Sequence, residues 1–273
     1  MVSERRPIVV ITGGNRGVGE GICYVFAEKG YDIFMTHYKE EEKAKKVAEK
    51  VRKEYGAKIV TFDCDQSKPD IGDLTLEAAL KSFDQIDVVM CNAGVGLEKY
   101  MRLTKPVEID HVYNVNFRGS LLVGTKFAVY MMEKGIKGTI LFTASLRAVN
   151  TTPMDAAYGG LKAGLKRATR SLAREFAPYG IRVCTISPGL MSVYAVGYED
   201  DDYEVLKKTV PLHTTGDGFD VGYVAAFLAS KEAKFITGID VFVDGGSHLG
   251  EDIWSKEQEW TATHGRGTFI IRD

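Results

Sequence analysis

Residues 8–30 read IVVITGGNRGVGEGICYVFAEKG, and this stretch decides the fold. Its first five residues form a short continuous apolar run, the mark of a buried strand. The Gly-rich segment GGNRGVG follows, and then Ile22, Val25, Phe26 and Ala27 recur at helical spacing until Gly30 ends the pattern. Strand, glycine loop and helix are therefore predicted in immediate succession.

Outward from there the same unit recurs. Strands are predicted at 32–36, 59–62, 87–91, 138–143, 182–187 and 240–243, with helices at 40–55, 74–83, 108–134, 157–178 and 221–230 between them. Alternation at this rhythm implies βαβ crossovers. The fold class is α/β: a doubly wound, Rossmann-type sheet of seven parallel strands with helices on both faces. No Pro- or Ser-rich linker divides the pattern, so residues 1–247 are expected to form one domain, with 248–273 as a C-terminal extension. Two stretches break the rhythm. Residues 193–219 mix glycine, acids and aromatics and read as a flap over a ligand or as a solvated loop, and 247–273 carry Trp254, Trp260 and Phe269, aromatics that usually pack on something.

Composition narrows the function. Thirty-five Lys and Arg against 37 Asp and Glu leave a formal charge of -2, so no global field gathers nucleic acid or anionic membrane around the molecule. With 45% hydrophobic and 26% charged residues the chain is neither disordered nor fibrous. Cys23, Cys64, Cys91 and Cys184 include no CxxC pair, which argues against a disulfide framework or zinc ribbon and for a reducing, cytoplasmic setting. No segment reaches the roughly 18 apolar residues of a membrane span, and the first apolar run is too short for a signal peptide. The five histidines lack ligand spacing, so no metal is expected.

The glycine loop carries the first chemical reading. Between a strand and a helix, Gly13, Gly17 and Gly19 let backbone N–H groups approach a pyrophosphate, whose charge the helix amino end favours. A tight turn that binds nothing is the alternative on these residues alone. Thr12 and Asn15 supply hydrogen bonds suited to holding the loop. Arg16 would project beside an adenosine ribose, and the second strand ends in Thr36, His37, Tyr38 and Lys39 rather than in an acid. That set suits a 2′-phosphate better than a bare hydroxyl, so NADP is expected over NAD, with NAD still open.

A second constellation lies further on. Tyr-x-x-x-Lys puts both side chains on one helix face, where the ammonium can lower the phenol's pKa toward a working range. The spacing occurs at Tyr130 with Lys134, Tyr158 with Lys162 and Tyr203 with Lys207, so spacing alone decides nothing. Only Tyr158 follows a strand ending in serine (TILFTAS, with Ser145) and precedes another parallel strand; the other two pairs read as surface or packing residues.

With these motifs in place, the chain resembles the short-chain dehydrogenase/reductase family, of the single-domain type similar to 3-oxoacyl-carrier-protein reductases and related carbonyl, hydroxysteroid and sugar reductases. The likeness runs from about residue 7 to residue 247. TGGNRGVG (12–19) resembles the cofactor loop, which assigns Gly13, Asn15, Arg16, Gly17, Val18 and Gly19 to the nucleotide, with His37, Tyr38 and Lys39 at the ribose and Asp63 and Cys64 of FDCD at the adenine. CNAG (91–94) supplies Asn92, Ala93 and Gly94, with Cys91 departing from the usual asparagine. NVNFRG puts Asn116 at the family's catalytic asparagine, and Ser145, Tyr158 and Lys162 complete the tetrad. SPGLMS (187–192) brings Pro188, Gly189 and Met191 to the nicotinamide side, although Val193 stands where many members carry Thr. ITGIDVFVDGG (236–246) matches the closing segment.

The resemblance implies an NADP-dependent oxidoreductase that interconverts a ketone and a secondary alcohol. Tyr158 would exchange the proton and Ser145 orient the oxygen, while Lys162 would stabilise tyrosinate and hold ribose hydroxyls and Asn116 would keep a water in line. Arg147 and Asn150 suit a polar or carboxylated substrate, whereas Leu146, Met154, Met191 and Tyr194 suit an apolar ketone, so oxoacyl, sugar or polyol and steroid-like substrates all stay open. The acids Glu199 to Asp202 argue modestly against a carrier protein. Family members associate through their two long middle helices, which implies a homodimer or homotetramer. The alternative function is a nucleotide-sensing regulator on the same fold without turnover, or a structural subunit of a larger assembly.

Overall fold

The structure, a computed structural model, describes residues 5–192 and 207–250. Seven strands, β1 (Ile8–Ile11), β2 (Asp32–His37), β3 (Ile59–Asp63), β4 (Val88–Cys91), β5 (Thr139–Thr143), β6 (Arg182–Pro188) and β7 (Asp240–Val243), form one parallel sheet in the order β3-β2-β1-β4-β5-β6-β7. All seven lie where the apolar runs predict them. The order reverses between β1 and β4, and in such sheets the crevice beyond the strand carboxyl ends at that reversal is where ligands bind.

Helices cover both faces: α1 (Gly17–Glu28), α2 (Glu41–Tyr55), α3 (Ile71–Leu80), α4 (Pro106–Val112), α5 (Ser120–Lys134), α6 (Ala156–Phe176) and α7 (Gly218–Ala229). Strand alternation sorts the core into two layers. Val9 and Ile11 of β1 pack with Ile22 and Phe26 of α1, Val47 and Val51 of α2, and Val221 and Leu228 of α7. Ile8 and Val10 face the opposite way, toward Ile71 of α3, Val123 and Phe127 of α5, and Leu165 and Phe176 of α6.

Three helices depart from expectation: α3 runs three residues ahead of the predicted 74–83 at both ends, and the other two depart for identifiable reasons. The predicted single helix over 108–134 is divided: Tyr113–Gly119 is a π-helical turn between α4 and α5. Such a turn holds more residues than an α-turn, and within it Asn116 is buried with only 1% exposure. Helix α7 begins at Gly218, three residues before the apolar pattern starts, because Asp217 accepts the Phe219 and Asp220 N–H groups while the Asp220 carboxylate accepts the Asp217 N–H. That reciprocal cap is encoded by the acids and not by the apolar spacing.

Tyr130, of the first Tyr-x-x-x-Lys pair, is buried in the core layer that α5 joins, a packing residue. Tyr203, most of the 193–219 stretch with Val193, Tyr194 and Glu199 to Asp202, and the extension beyond residue 250 with its tryptophans lie outside the described residues. Among the described residues, no helix is long and apolar enough to cross a membrane.

Candidate active site

The glycine loop joins β1 to α1 at the sheet reversal. Gly13 has φ +63° and Gly17 φ +58°, left-handed conformations that favour glycine. A methyl group at Gly19 would overlap the Gly13 carbonyl oxygen, so loop and helix meet backbone to backbone. Neighbouring strands hold this shape. Gly13 N–H donates to Thr36 Oγ1 (3.3 Å) and Gly14 N–H to the Thr36 carbonyl (3.1 Å). Thr12 Oγ1 accepts the N–H groups of both Asn92 and Ala93 at 3.0 Å, and Asn92 Nδ2 donates to the carbonyls of Thr12 (3.2 Å) and Gly13 (3.1 Å). Arg16, at the amino end of α1, makes no side-chain cap. That bare helix end, above a cradle that a Cβ atom would fill, fits a pyrophosphate. Val18 sits in the core, so only its backbone is available to a ligand.

Beyond β2 the site differs from the sequence reading in one respect. The turn at Lys39 takes φ +55°, rare for a side chain of that size, with its N–H donated to Asp63 Oδ1 at 3.0 Å. The next residue, Glu40, accepts a 2.8 Å hydrogen bond from Asn15 Nδ2, lies 3.1 Å from Arg16 Nε and also pairs with Lys43. These partners, Lys43 first, hold the Glu40 carboxyl below the usual carboxylate range. The expectation of an unopposed Arg16 is thereby corrected: an acid does reach it, one residue past the turn. His37 is also placed differently from an open ribose contact. Its ring is buried, with Nε2 3.3 Å from Glu41 and Nδ1 3.9 Å from Asp63, while Tyr38 is exposed. Cys64 is half-buried, its thiol pushed up to about 11 by burial.

Across the reversal, the ends of β4 and β5 meet α6. Asn92 Oδ1 accepts a 3.2 Å hydrogen bond from the Thr143 hydroxyl, and the Thr143 carbonyl accepts a 2.7 Å hydrogen bond from Lys162 Nζ. A continuous chain thus runs from the glycine loop to the lysine. Lys162 is buried, which lowers its pKa from the ordinary lysine value to about 8, and its ammonium lies 5.7 Å from the centre of the Tyr158 ring one turn before it on α6. Half-buried Ser145 accepts the Arg147 N–H at Oγ (3.1 Å) and so caps the short turn Leu146–Ala148.

The Asn116 amide is engaged at both its atoms. Its Oδ1 accepts the Val95 N–H at 2.8 Å and its Nδ2 donates to the Val95 carbonyl at 2.7 Å. Both ends of the amide brace the segment after Ala93 and Gly94, which gives the side chain a positioning role. At the β6 end, Pro188 closes the strand and Gly189 N–H donates to the Val243 carbonyl (2.9 Å); Met191 is fully buried against Gly216 and belongs to the core. At the rim, Asn150 Nδ2 donates to the Ser247 carbonyl at 2.8 Å, tying the segment after Ser145 to the chain beyond β7. Arg147 stands 3.9 Å from buried Asp155. Thr143, Glu40 and this Asn150 tie have no counterpart in the sequence reading.

The chain is similar to known proteins over most of its length. The family model described as Enoyl-(Acyl carrier protein) reductase matches residues 13–248. The chain is 30% identical to the glucose 1-dehydrogenase of Gluconobacter oxydans over 257 residues, 93% of this chain and 95% of that one. It is 29% identical to the 3-oxoacyl-[acyl-carrier-protein] reductase of Staphylococcus epidermidis, over 88% of this chain and 98% of the other. Among solved structures, a 3-oxoacyl-[acyl-carrier protein] reductase from Brucella melitensis superposes with a TM-score of 0.83 at 29% identity, covering 91% of this chain and all of that one. The acetoin dehydrogenase of Salmonella typhimurium, at 24% identity and a TM-score of 0.84 over 92% of this chain and 99% of that one, shares the fold.

Proposed function

The chain belongs to the short-chain dehydrogenase/reductase family, and from that premise we propose that it interconverts a ketone and a secondary alcohol with a nicotinamide nucleotide, NADP(H) or NAD(H), using Tyr158 as the proton donor and acceptor. Relatives named as a dehydrogenase of glucose and as a reductase of a 3-oxoacyl group support a carbonyl–alcohol exchange. The observation that carries the reading is the linked array Gly13, Asn92, Thr143, Lys162 and Tyr158, which ties a phosphate-binding loop to a phenol beside a buried ammonium.

When bound, the nicotinamide supplies or accepts the hydride. The chain's own residues do the rest. Gly13 to Gly19 and the amino end of α1 bind the pyrophosphate, while Arg16 and Lys39 are the cations for a 2′-phosphate and Glu40 is the acid opposed to one. Ser145 orients the substrate oxygen. Tyr158 gives its proton to that oxygen in reduction and takes it back in oxidation, and the Lys162 ammonium favours the tyrosinate that alternates with it. Asn116 holds the Ala93–Val95 segment at the edge of the site through both backbone groups of Val95.

The protein acts on a small-molecule ketone or alcohol in the cytosol, a setting that suits the free thiols of Cys23, Cys64, Cys91 and Cys184. It assembles as a homodimer or homotetramer. Exposed Tyr113 with Phe117 and Leu121, beside a groove of about 490 Å³ between α3 and α5, supports pairing on that face. A screen of ketones and alcohols by nicotinamide absorbance, run on wild type and Tyr158→Phe, tests the reading. The variant is expected to keep nucleotide binding and lose turnover by about 10²–10⁴-fold; near-normal turnover overturns the assigned acid.

A further inference from the structure

Beyond β7 the chain turns back over buried Asp244. Gly245 and Gly246 take φ +61° and +92°, left-handed conformations that let the turn close. The Asp244 carboxylate accepts the N–H groups of Gly246 (3.0 Å) and His248 (2.7 Å), and it faces His248 Nδ1 at 3.0 Å. The half-buried His248 ring lies flat on Phe242, with centroids 4.1 Å apart and planes 6° from parallel. The fold therefore sets both the position and the rotation of this imidazole.

Three ties bring that ring to the catalytic edge. Asn150, in the segment that starts at Ser145, donates to the Ser247 carbonyl at 2.8 Å. Asp244 packs on the turn that closes β6, since a Cβ atom built on Gly189 would fall 2.5 Å from Asp244 Cβ. Lys166 Nζ lies 4.4 Å from the centre of the Phe242 ring, and Tyr158, Lys162 and Lys166 follow at four-residue spacing along one face of α6. His248 thus shares its surroundings with Ser145 and Tyr158.

The tautomer governs what the ring can bind. Two acceptors cannot bond each other, so in the neutral ring the proton sits on Nδ1, donated to Asp244, and Nε2 keeps a bare lone pair. Among the described residues Nε2 makes no hydrogen bond. A lone pair accepts from a hydroxyl group. It offers nothing to a hydrocarbon chain or to a carbonyl oxygen.

Resting on the carbonyl–alcohol reading above, we propose that His248 is a substrate-specificity residue: held by Asp244 and Phe242, it accepts at Nε2 a hydrogen bond from a second hydroxyl of the substrate. The enzyme then prefers diols, polyols and hydroxyketones to alcohols and ketones that lack that group. Asp244 acts through His248, as the residue that fixes its tautomer and its direction.

Initial rates of the full chain with oxidised nucleotide test this on probes that differ by one hydroxyl: butane-2,3-diol against butan-2-ol, and the cyclohexane-1,2-, 1,3- and 1,4-diols against cyclohexanol. Wild type is expected to show a kcat/KM about tenfold higher for at least one diol than for its parent alcohol. His248→Phe keeps a ring on Phe242 and loses both nitrogens, and His248→Asn keeps a donor for Asp244 and loses the outward acceptor. Both are expected to bring the diol-to-alcohol ratio to about one. His248→Gln, whose longer amide places an acceptor near the position of Nε2, is expected to recover part of the preference. An unmoved ratio in the folded Phe and Asn variants, an equal loss on diol and alcohol, or a wild type with no preference overturns the assignment while the carbonyl–alcohol reading stands. Turnover of no alcohol or ketone by wild type removes that reading, and this inference with it.

Discussion

Lys162 Nζ donates a 2.7 Å hydrogen bond to the carbonyl oxygen of Thr143, which pins the first third of α6 to the carboxyl end of β5. The amine is buried on all sides, and burial lowers its pKa to about 8. A folded-state value below that of the unfolded chain means that between about pH 8 and the ordinary lysine range the unfolded chain binds more protons. Stability therefore rises with pH across that window, and below it the charged amine exerts its full cost, about 3 kcal/mol for a shift of this size. Lys162→Met removes the charge but also a partner of the Thr143 carbonyl, worth about 1 kcal/mol. The expected outcome is a variant about 2 kcal/mol more stable than wild type at pH 7, by urea denaturation, and without turnover. A variant less stable at neutral pH would show that the ammonium is well accommodated after all.

Thr12 makes the other junction of the array. Its hydroxyl oxygen accepts the N–H groups of Asn92 and Ala93, both at 3.0 Å. Thr12→Val keeps the shape and removes the acceptor of the Ala93 N–H, at about 1–3 kcal/mol, whereas the Asn92 N–H keeps the Met90 carbonyl at 3.1 Å. Thermal unfolding is expected to fall by several degrees, on the order of 2–4 °C per kcal/mol for a chain of this size. Thr12→Ser retains the acceptor, and its midpoint is expected to stay close to that of wild type. Equal losses in the two variants would assign the effect to the methyl group instead.

The sheet was legible in the sequence because parallel strands buried on both faces tend to be continuous apolar runs, and 8–11 and 88–91 are such runs. The order of the loop, Ser145 and Tyr-x-x-x-Lys then placed the candidate residues at one edge. What escaped was set by backbone turns that no periodicity reports. The π-turn that buries Asn116 falls inside an unbroken helical pattern, and Glu40 reaches Arg16 only because Lys39 adopts a left-handed conformation that its identity does not favour. Met191, counted with the nucleotide contacts by its place in SPGLMS, is drawn into the core by its contact with Gly216, a pairing that sequence distance hides.

Asn116 offers a separate test of positioning. Because both atoms of its amide are engaged by Val95, Asn116→Ala leaves the Val95 N–H and C=O without those partners. The rate constant kcat is expected to drop with only a small change in the Michaelis constant for the nucleotide, since the phosphate loop keeps its own ties to Thr36 and Asn92. Asn116→Asp, which can still accept the Val95 N–H, is expected to recover part of the rate. Intact kcat in the alanine variant would show that the segment after β4 needs no brace.

Helix α1, whose amino end carries the loop, is set by its contact with α7. A Cβ atom built on Gly21 falls within 2.3 Å of the Gly218 carbonyl carbon, and that neighbour is backbone, which cannot rotate away. Gly21→Ala must push the two helices apart, at about 1–3 kcal/mol for overpacking of this kind, and it should weaken nucleotide binding because Gly17 and Gly19 move with α1. Gly160 gives the contrast within α6: among the described residues nothing stands within 4 Å of its Cβ position and its backbone is helical, so Gly160→Ala is expected to stabilise by about 0.5–1 kcal/mol. One added methyl should therefore act with opposite sign at the two sites when denaturation is measured at matched protein concentration. If Gly21→Ala were neutral, α1 and α7 would have to be free to separate, and the loop's position would not depend on their contact.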